Sequence, residues 1–346
     1  MKVQPGASLL RRQRVSVLGA GAWGTTLALL VHEAGHEAIL VSHWEDAAAF
    51  MRRERRHPRS LPGVPIPEGI QFEHTGDHSL GEASVVIIAG PTQRLREAVT
   101  DLRTVLATCT ILCAAKGLEI ASLLRPSQVV ASVLGAGIDI GVLSGPNLSA
   151  EIAAGKPSST VIASADTSVA QRLVHILHSR SFRAYVSGDV IGVEMGGALK
   201  NVIAIGAGIA DGLGAGDNAK AAFMTRGIAE IARLGVAAGA QPLTFAGLSG
   251  IGDLIATCAS PLSRNHQVGV GLAAGRTLDD IVTGMTETAE GIATTRAARD
   301  LGIALGVELP ILEQTYRVMF EGVSPLEALA RLMEREPRHE FADLRP

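Results

Sequence analysis

The chain of 346 residues is long enough for two domains with complete cores, and its content of 47% hydrophobic and 19% charged residues is ordinary for a globular protein. Its 31 basic residues nearly balance 34 acidic ones, and the net charge of -3 argues against a nucleic-acid partner or a basic membrane-binding face. The long apolar segment after Gly196 is interrupted by Lys200, Asn201 and Asp211. We therefore expect no membrane span there, and we expect no signal sequence in residues 1–14, which carry three arginines and no apolar core of signal-peptide length.

The first predicted element is an apolar β-strand from Arg14 to Leu18 that breaks into the pattern G-x-G-x-x-G at Gly19, Gly21 and Gly24. A helix follows and ends at Gly35. In a dinucleotide-binding turn the first glycine permits the tight bend, the second lets the backbone approach a pyrophosphate, and the third lets the helix pack on the strand. This strand and helix context favours a nucleotide site over a merely structural glycine-rich turn.

The second predicted strand, residues 37–42, ends in Ser42-His43, where a protein specific for NAD places an acidic residue to hold the ribose 2'-hydroxyl. The missing carboxylate favours NADPH over NADH as the cofactor. Arginines close downstream could bind a 2'-phosphate, because a guanidinium binds phosphate bidentately. These arginines, which could equally form a solvated helix face, are Arg52, Arg53, Arg55 and Arg56.

The alternation of strands and helices continues to about residue 190. Further strands are predicted at 83–89, 110–114, 138–143, 159–163 and 182–186, and a helix from about residue 90 to Leu106. Lys116 follows the strand at 110–114, at the sheet edge where parallel α/β folds bind ligands, so it could meet an anionic substrate or a cofactor phosphate. A surface lysine is the alternative. Residues 144–149, SGPNLS, form another turn at that edge, before a helix carrying Glu151.

The three cysteines are too few and too scattered for a disulfide framework, which predicts a reducing, cytoplasmic compartment. Cys109 and Cys113 stand four residues apart in an apolar strand, with no further cysteine or histidine at zinc-ligand spacing. We interpret them as core residues and predict no metal site.

From residue 191 the strand signals stop, and helices are predicted at 191–211, 217–239, 242–257, 277–284, 289–305, 309–321 and 325–334. Lys200, placed one turn into the first of these, and Asp253 are charged residues in apolar surroundings. They indicate either a functional site or a structural ion pair. Ser263, Arg264 and Asn265 are interpreted as phosphate ligands on a loop, or alternatively as a helix cap.

With these residues in view, the sequence resembles bacterial NAD(P)-dependent glycerol-3-phosphate dehydrogenases over about residues 14–336. The resemblance is carried by the stretches GAGAWGTTLA, AAKGLE, SGPNLSAEIAAGKPSS, GGALKNVIAIGAGIADGLGAGDNAKAA, RGIAEIARLG, GLSGIGDLIATCASPLSRN, AEGIATTRAA and GVELPILEQTYRVMFEG. It implies a Rossmann-type α/β domain at 14–190 and an all-α domain at 191–336, similar to the C-terminal domain of 6-phosphogluconate dehydrogenase. Residues 1–13 would be an extension and 337–346 a tail.

The resemblance also implies an activity and a set of site residues. Members of this family reduce dihydroxyacetone phosphate to sn-glycerol 3-phosphate for phospholipid synthesis, and a homodimer is expected. Lys200 would be the acid or base at the substrate C2 oxygen, with Lys116 beside the same oxygen or the nicotinamide. Asp253 and Asn201 would orient both lysines. The substrate-binding set would add Gly145, Asn147, Ser263, Arg264 and Asn265. The cofactor-binding set would be Gly19, Gly21, Ala22, Trp23, Gly24, His43, Lys116, Ser149, Arg264, Thr288 and Glu290.

Three positions depart from the family pattern. Ser60 stands where an aromatic residue is usual, Asn147 where serine or threonine is usual, and Ser149 where alanine is common. Two other readings remain open at this point. One is a β-hydroxyacid or 6-phosphogluconate-type dehydrogenase of similar architecture, and the other is a binding protein that senses NADP(H) without turnover.

Overall fold

The computed structural model describes residues 12–75, 80, 82–285 and 287–336. The chain divides into two compact units. Unit 1 comprises the residues up to Ala115 together with Pro126–Val190, and unit 2 comprises Lys116–Arg125 together with the residues from Ile191 onward. The proposed tail at 337–346, and all but the last two residues of the proposed extension at 1–13, lie outside the described residues.

Unit 1 is built on one eight-stranded sheet, and this confirms the predicted Rossmann-type fold. The strands are β1 (Arg14–Leu18), β2 (Glu37–Ser42), β3 (Ile70–His74), β4 (Val85–Ile88), β5 (Thr110–Cys113), β6 (Ile140–Ser144), β7 (Ser158–Ser164) and β8 (Phe182–Ser187). Their order is β3-β2-β1-β4-β5-β6-β7-β8. Neighbouring strands are parallel except β6 and β7, so the carboxyl ends of β1 to β6 share one edge.

The helices of unit 1 are α1 (Ala22–Glu33), α2 (Glu45–Glu54), α3 (Leu95–Asp101), α4 (Arg103–Leu106), α5 (Pro126–Leu134), α6 (Ser149–Ala153) and α7 (Thr167–Leu177). The central strands β1, β2, β4 and β5 are buried almost residue by residue, as expected for a parallel sheet covered by helices. Cys109 and Cys113 are buried in this unit and carry free thiols, which confirms their interpretation as core residues.

Two local predictions in unit 1 were wrong. Strand β3 was not predicted, because its sequence IQFEH has only two apolar side chains; Ile70 and Phe72 are nevertheless buried, and the other three residues are exposed or half-buried. The single helix predicted up to Leu106 is instead a 3₁₀ turn (Thr92–Arg94) followed by α3 and α4. The two helices separate at Leu102, whose φ of -104° and ψ of 12° leave the helical region.

Within its described residues unit 2 forms helices and turns but no strand, as predicted. Its helices are α8 (Val190–Gly212), α9 (Asp217–Ala237), α10 (Asp253–Ala259), α11 (Arg264–Ala273), α12 (Leu278–Thr283), α13 (Glu290–Leu305), α14 (Pro310–Phe320) and α15 (Pro325–Met333). The helix predicted at 242–257 is three elements: a 3₁₀ turn (Pro242–Ala246), a π-helical turn (Leu248–Gly252) and α10. Helix α11 was not predicted.

Helix α8 is the central element of unit 2, and every residue from Gly192 to Ile209 is buried. Its length and hydropathy would allow it to cross a membrane, but 89% of its most apolar 18-residue window is buried inside the protein. The central helix of a folded core meets the same length and hydropathy test. Burial therefore accounts for the composition of α8.

A buried carboxylate joins α9 to α14. Glu230 is 5% exposed, and its two oxygens accept hydrogen bonds from the backbone N–H groups of Ile311 (2.7 Å) and Leu312 (3.2 Å) in the first turn of α14. The start of a helix has unpaired N–H groups, so this side chain serves as a cap supplied from another helix. Burial raises the pKa of Glu230 to about 7, against the lowering effect of the two backbone hydrogen bonds.

We expect Glu230 to make stability fall as the pH rises. Because its pKa is about 7 in the folded chain and near the ordinary 4.5 when unfolded, the folded state binds more protons between these values. Linkage then predicts that the free energy of unfolding falls by on the order of 3 kcal/mol as the pH rises across that window. Urea unfolding of the Glu230→Gln variant from pH 4.5 to 8 should show a flatter dependence than the unchanged protein. Glu334→Gln, at an exposed position of the same unit, is the control. If the stability of Glu230→Gln depended on pH in the same way as that of the unchanged protein, the prediction would be contradicted.

Candidate active site

The glycine turn between β1 and α1 is shaped by two close backbone contacts. Gly19 has a φ of 111°, and a Cβ there would lie 2.9 Å from the backbone nitrogen of Gly90. A Cβ on Gly24 would lie 1.7 Å from the carbonyl oxygen of Gly19, so the helix can pack at this distance only without a side chain. A Cβ on Gly21 would meet no protein atom within 4 Å. Packing within the chain therefore explains Gly19 and Gly24, but it does not explain Gly21.

The residues around this turn fit a dinucleotide. No side chain caps the start of α1 at Gly21, and no acidic residue lies in its first turn, so the backbone N–H groups from Ala22 onward can face an anion. The indole Nε1 of Trp23 is shielded from solvent and has no hydrogen-bond partner among the described residues. The Thr26 hydroxyl lies 2.9 Å from the Ala22 carbonyl oxygen and 3.3 Å from that of Ser149, and it can donate to either, so it brings α1 close to the start of α6.

The carboxyl end of β2 leaves His43 and Trp44 at the surface. The Ser42 hydroxyl donates to the Trp44 carbonyl oxygen at 2.8 Å and accepts from the Trp44 N–H at 3.0 Å, so its bonding is local. Trp44 is 64% exposed, and its ring meets that of His43 edge-on at 5.1 Å. Two acidic residues, Glu45 and Asp46, follow in the first turn of α2.

Two of the four downstream arginines have structural partners. Arg52 donates to the carbonyl oxygen of Phe72 at 2.7 Å, and Arg55 donates to that of Ile70 at 3.0 Å while its guanidinium lies over the Phe72 ring. Both therefore hold α2 against the β3 region. Arg53 and Arg56 are mostly exposed and lie beside Glu54. Arg52 and Arg55 thus have packing roles, and the binding of a 2'-phosphate by one or two members of the run stays a prediction.

The loop after β6 is held by the side chain of Asn147. Its Oδ1 accepts from the Thr160 hydroxyl at 3.0 Å, and its Nδ2 donates to the carbonyl oxygen of Ser159 at 3.4 Å. Gly145 stands two residues earlier with a φ of 156°. Asn147, which stands where the family usually has serine or threonine, therefore anchors its own loop to β7.

In unit 2, one buried carboxylate binds two lysines. Asp253 is fully buried and Lys200 is 7% exposed. Asp253 Oδ1 accepts a hydrogen bond from Lys200 Nζ, and Asp253 Oδ2 accepts one from Lys116 Nζ at 2.7 Å. Lys200 also donates to the Thr257 hydroxyl at 2.7 Å, and this hydroxyl donates to the Asp253 carbonyl oxygen at 2.7 Å. Sequence analysis did not select Thr257, although it stands one helical turn after Asp253.

The buried position of the Lys200 amine makes it easier to deprotonate. Burial lowers the pKa of Lys200 to about 8, while Asp253 raises it and Lys116 lowers it. Two cations face one carboxylate, so the cluster carries an excess positive charge that suits an anionic or polarised substrate. An amine with a pKa near neutrality can both donate and accept a proton.

The structure bears on both readings of Lys200 and Asp253. An ion pair between α8 and α10 does exist, but the carboxylate is shared with Lys116 from a separate segment of unit 2. Lys200 also lies near the middle of α8, because the helix begins at Val190, and not one turn from its start. A buried amine with a lowered pKa beside a second cation is more typical of an acid/base site than of a simple helix tether.

Asn201 and Asn265 form a hydrogen-bonded chain. Asn265 Nδ2 donates to Asn201 Oδ1 at 2.9 Å, and Asn265 Oδ1 accepts from the backbone N–H of Gly291 at 3.0 Å. The chain joins α8, α11 and α13. Sequence analysis predicted Asn265 as a phosphate ligand, and in the structure its amide connects these three helices.

The Ser263-Arg264-Asn265 group begins helix α11, so its placement on a loop was wrong and the alternative of a helix cap was right. The Ser263 hydroxyl caps the helix by accepting from the N–H of His266. Arg264 is partly exposed, donates to the Thr288 carbonyl oxygen at 2.8 Å, and pairs with Glu287 at 3.1 Å. Glu290 is the first residue of α13. A helix start with an arginine can still bind an anion. Within the described residues, no group of three or more His, Cys, Asp or Glu side chains could hold a metal ion.

Comparison with known proteins extends over both units. Residues 14–170 match the family model for the N-terminus of NAD-dependent glycerol-3-phosphate dehydrogenase, and residues 189–330 match the model for its C-terminus. Family membership of both parts disfavours the reading as a β-hydroxyacid or 6-phosphogluconate-type dehydrogenase.

Individual relatives match along nearly the whole chain. Glycerol-3-phosphate dehydrogenase [NAD(P)+] from Anaeromyxobacter sp. (strain K) is 44% identical over 334 residues, covering 95% of this chain and 100% of the relative. The protein of the same name from Streptomyces coelicolor is 43% identical, covering 94% and 98%. The crystal structure of glycerol-3-phosphate dehydrogenase from Coxiella burnetii superimposes with a TM-score of 0.90 at 34% identity, covering 94% and 99%. The chain therefore belongs to the NAD-dependent glycerol-3-phosphate dehydrogenase family.

Proposed function

We propose that this protein catalyses the reversible, NAD(P)H-dependent reduction of dihydroxyacetone phosphate to sn-glycerol 3-phosphate. The observation that carries the proposal is the buried Asp253 carboxylate with the Lys200 and Lys116 amines bound to its two oxygens. Family membership supplies the substrate class, since the relatives are named for glycerol 3-phosphate.

The first test is NADPH and NADH oxidation with dihydroxyacetone phosphate, with 6-phosphogluconate and a β-hydroxyacid as comparison substrates in the oxidative direction. No rate above background with dihydroxyacetone phosphate would refute it.

Lys200 is the proposed acid of the reduction. As hydride reaches the C2 carbon of the ketone, negative charge develops on its oxygen, and a protonated amine stabilises that charge and then donates the proton. In the reverse reaction the neutral amine takes the proton from the C2 hydroxyl. A pKa of about 8 leaves both forms accessible near neutral pH. Each reaction direction therefore uses a different protonation state of the same side chain.

Lys116 and Asp253 set the charge on Lys200. The cationic Lys116 lowers the pKa of Lys200 and Asp253 raises it, so together they tune the acid against its burial. Asp253 and Thr257 also fix the amine in space, because Nζ donates to both of these neighbouring groups on α10. A fixed donor needs little reorganisation when charge develops in the transition state.

We propose the start of α11 as the substrate phosphate site. The helix dipole and the Arg264 guanidinium both favour a dianion at this place. Arg264 is neutralised by Glu287 in this structure, so phosphate binding there would compete with that carboxylate. Asn201 and Asn265 join this turn to α8, the helix that carries Lys200.

The cofactor is proposed to bind unit 1 at the glycine turn, with His43 near the adenosine ribose and Ser149 at the start of α6. When bound, its reduced nicotinamide supplies the hydride. The open space at Gly21 and the uncapped start of α1 support this placement. Thr288 and Glu290 belong to the cofactor-binding set that the resemblance implies, with Glu290 on the nicotinamide side.

We further propose a cytoplasmic homodimer that supplies glycerol phosphate for phospholipid synthesis. The three free, buried cysteines support a reducing compartment. Light scattering on the purified protein measures the oligomeric state, and a monomer mass would contradict the dimer.

Gly21 and Gly24 should respond differently to the same substitution. Gly21→Ala adds a methyl group that meets no protein atom, so we expect an unchanged melting temperature and a loss of NADPH affinity of roughly tenfold or more, because the methyl group would occupy space needed by the pyrophosphate. Gly24→Ala, whose methyl group would overlap the Gly19 carbonyl, should lower the melting temperature. Normal NADPH binding by Gly21→Ala, measured by calorimetry, would argue against a cofactor at this turn.

NADPH is expected to be used at least as well as NADH, because Ser42-His43 takes the place of the carboxylate that would bind the ribose 2'-hydroxyl of NADH. The ratio of kcat/KM for the two cofactors measures this preference. His43→Ala should lower kcat/KM for NADPH more than for NADH if the imidazole faces the 2'-phosphate. His36→Ala is the control, because His36 lies just before the opposite end of β2. A strong NADH preference in the unchanged protein would overturn the prediction.

Lys200→Met should fold, bind NADPH and lose roughly 100-fold or more in kcat, the usual scale of general acid catalysis. In the unchanged protein, kcat/KM for reduction should fall above about pH 8, where Lys200 loses its proton. For oxidation it should rise toward that pH. We call this fall for reduction at high pH the alkaline limb. Lys116→Met removes a cation, so the alkaline limb of its residual activity should move to higher pH. A Lys200→Met protein with an unchanged melting temperature and near-normal kcat would eliminate the assignment.

A further inference from the structure

A backbone contact between α8 and the π-helical turn lies one helical turn before the acid/base pair, Lys200 and Asp253. On α8, Gly196 precedes Lys200 by four residues, and Ser249, in the π-helical turn, precedes Asp253 by four. A Cβ on Gly196 would lie 2.3 Å from the Ser249 carbonyl oxygen and 3.0 Å from its carbonyl carbon. Both residues are buried, so α8 and the π-helical turn touch main chain to main chain just before their charged side chains meet.

The π-helical turn is also held from its other side. A Cβ on Gly250 would lie 2.1 Å from the Phe245 carbonyl oxygen, and Phe245 is itself buried with its ring against Gly235 of α9. The wide turn is closed by the N–H of Gly252, which donates to the Gly247 carbonyl oxygen at 3.1 Å. Single π-helical turns are rare and frequently occur at functional sites. Here the turn is clamped between α8 and the Pro242–Ala246 turn.

We propose that Gly196 is a positioning residue for the reaction: its contact with Ser249 fixes the distance between α8 and the start of α10, and so holds the Asp253 carboxylate between the Lys200 and Lys116 amines. The proposal rests on the proposed function, in which Lys200 is the acid. It adds a residue that touches neither substrate nor cofactor and that acts only through the backbone it allows to approach.

The geometry explains why a methyl group at this position would disturb the site. To reach a normal contact of roughly 3.5 Å, the Ser249 carbonyl would have to move by roughly 1 Å. The obstacle is backbone and cannot rotate away as the end of a side chain could. Asp253 and Thr257 both lie on the helix that follows the turn, so both acceptors of the Lys200 amine would move with it.

The displacement should change the acidity of Lys200 in a known direction. Asp253 raises the pKa of Lys200, whereas burial and Lys116 lower it. Weakening the contact to Asp253 would leave the two lowering effects, so the pKa should fall. The alkaline limb of the reduction should then move to lower pH, opposite to the shift expected for Lys116→Met.

Gly196→Ala is the test, and Gly206→Ala is its matched control. Gly206 lies on the same helix, and a Cβ there would lie 2.3 Å from an atom of the Phe223 ring, the same distance as at Gly196 but against a side chain of α9. We expect both variants to lose stability. Only Gly196→Ala should lose about tenfold in kcat and move the alkaline limb by about one pH unit, the size of shift that a neighbouring charge typically causes.

A second readout does not depend on turnover. The lysines of the chain are Lys2, Lys116, Lys156, Lys200 and Lys220, so an NMR titration of protein labelled at lysine Cε would be sparse, and Lys200→Met would assign the Lys200 signal. Its midpoint should be lower in Gly196→Ala and unchanged in Gly206→Ala. An inactive unchanged protein would refute the proposed function, while this titration would still decide the positioning role.

Equal pH profiles and equal Lys200 midpoints in the two glycine variants would overturn the proposal. If Gly196→Ala does not fold, Phe245→Leu loosens the support of the π-helical turn from its other side with a smaller change. Phe245→Leu should also shift the alkaline limb to lower pH, but by less than the shift of about one pH unit expected for Gly196→Ala. A Phe245→Leu profile identical to that of the unchanged protein would then overturn the proposal.

Discussion

The bond between the buried Asp253 carboxylate and two lysines is the interaction on which the candidate site depends. A lone buried charge costs several kcal/mol, so the burial of Asp253 and Lys200 depends on an opposite charge beside each of them, and the partly exposed Lys116 gives Asp253 a second partner. The carboxylate offers one oxygen to each amine, and the cluster keeps an excess positive charge. That excess can polarise a ketone, while burial, with a smaller effect of Lys116, lowers the pKa of Lys200 to about 8 against the raising effect of Asp253.

The geometry of the cluster is set largely by backbone contacts of α8. Aromatic residues make up only 3% of the chain, and glycines let the helices of unit 2 approach more closely than large side chains would permit. Gly196 meets the turn before α10, and further along the same helix a Cβ on Gly208 would lie 2.1 Å from the His266 carbonyl oxygen on α11. One helix therefore positions both the acid/base pair and the start of α11. Backbone contacts of this kind tolerate little variation, because no rotamer change can relieve them.

Lys116 reaches Asp253 from a short segment that packs with unit 2. Leu118 of this segment lies in the core of that unit, and Arg125 at its end forms a partly buried ion pair with Glu194 on α8. A lysine on such an anchored segment loses less conformational entropy on binding its partner than one on a free loop. The second amine of the site is thus held by its own buried contacts and not only by the carboxylate it binds.

Local sequence pattern was enough to predict the glycine turn after β1, most of the strands and helices of unit 1 and most helices of unit 2. It was also enough to select Lys200, Lys116 and Asp253 as the charged residues of interest, but it missed β3 and α11. The tertiary structure decided which of these meet. Asp253 stands 53 residues from Lys200 and 137 from Lys116, and no local periodicity encodes which groups pair over such separations. The same holds for Thr257 as a partner of Lys200, for the use of Arg52 and Arg55 in packing, and for the place of Ser263 to Asn265 at a helix start. In each case the outcome depends on which buried groups must satisfy one another once the helices have packed.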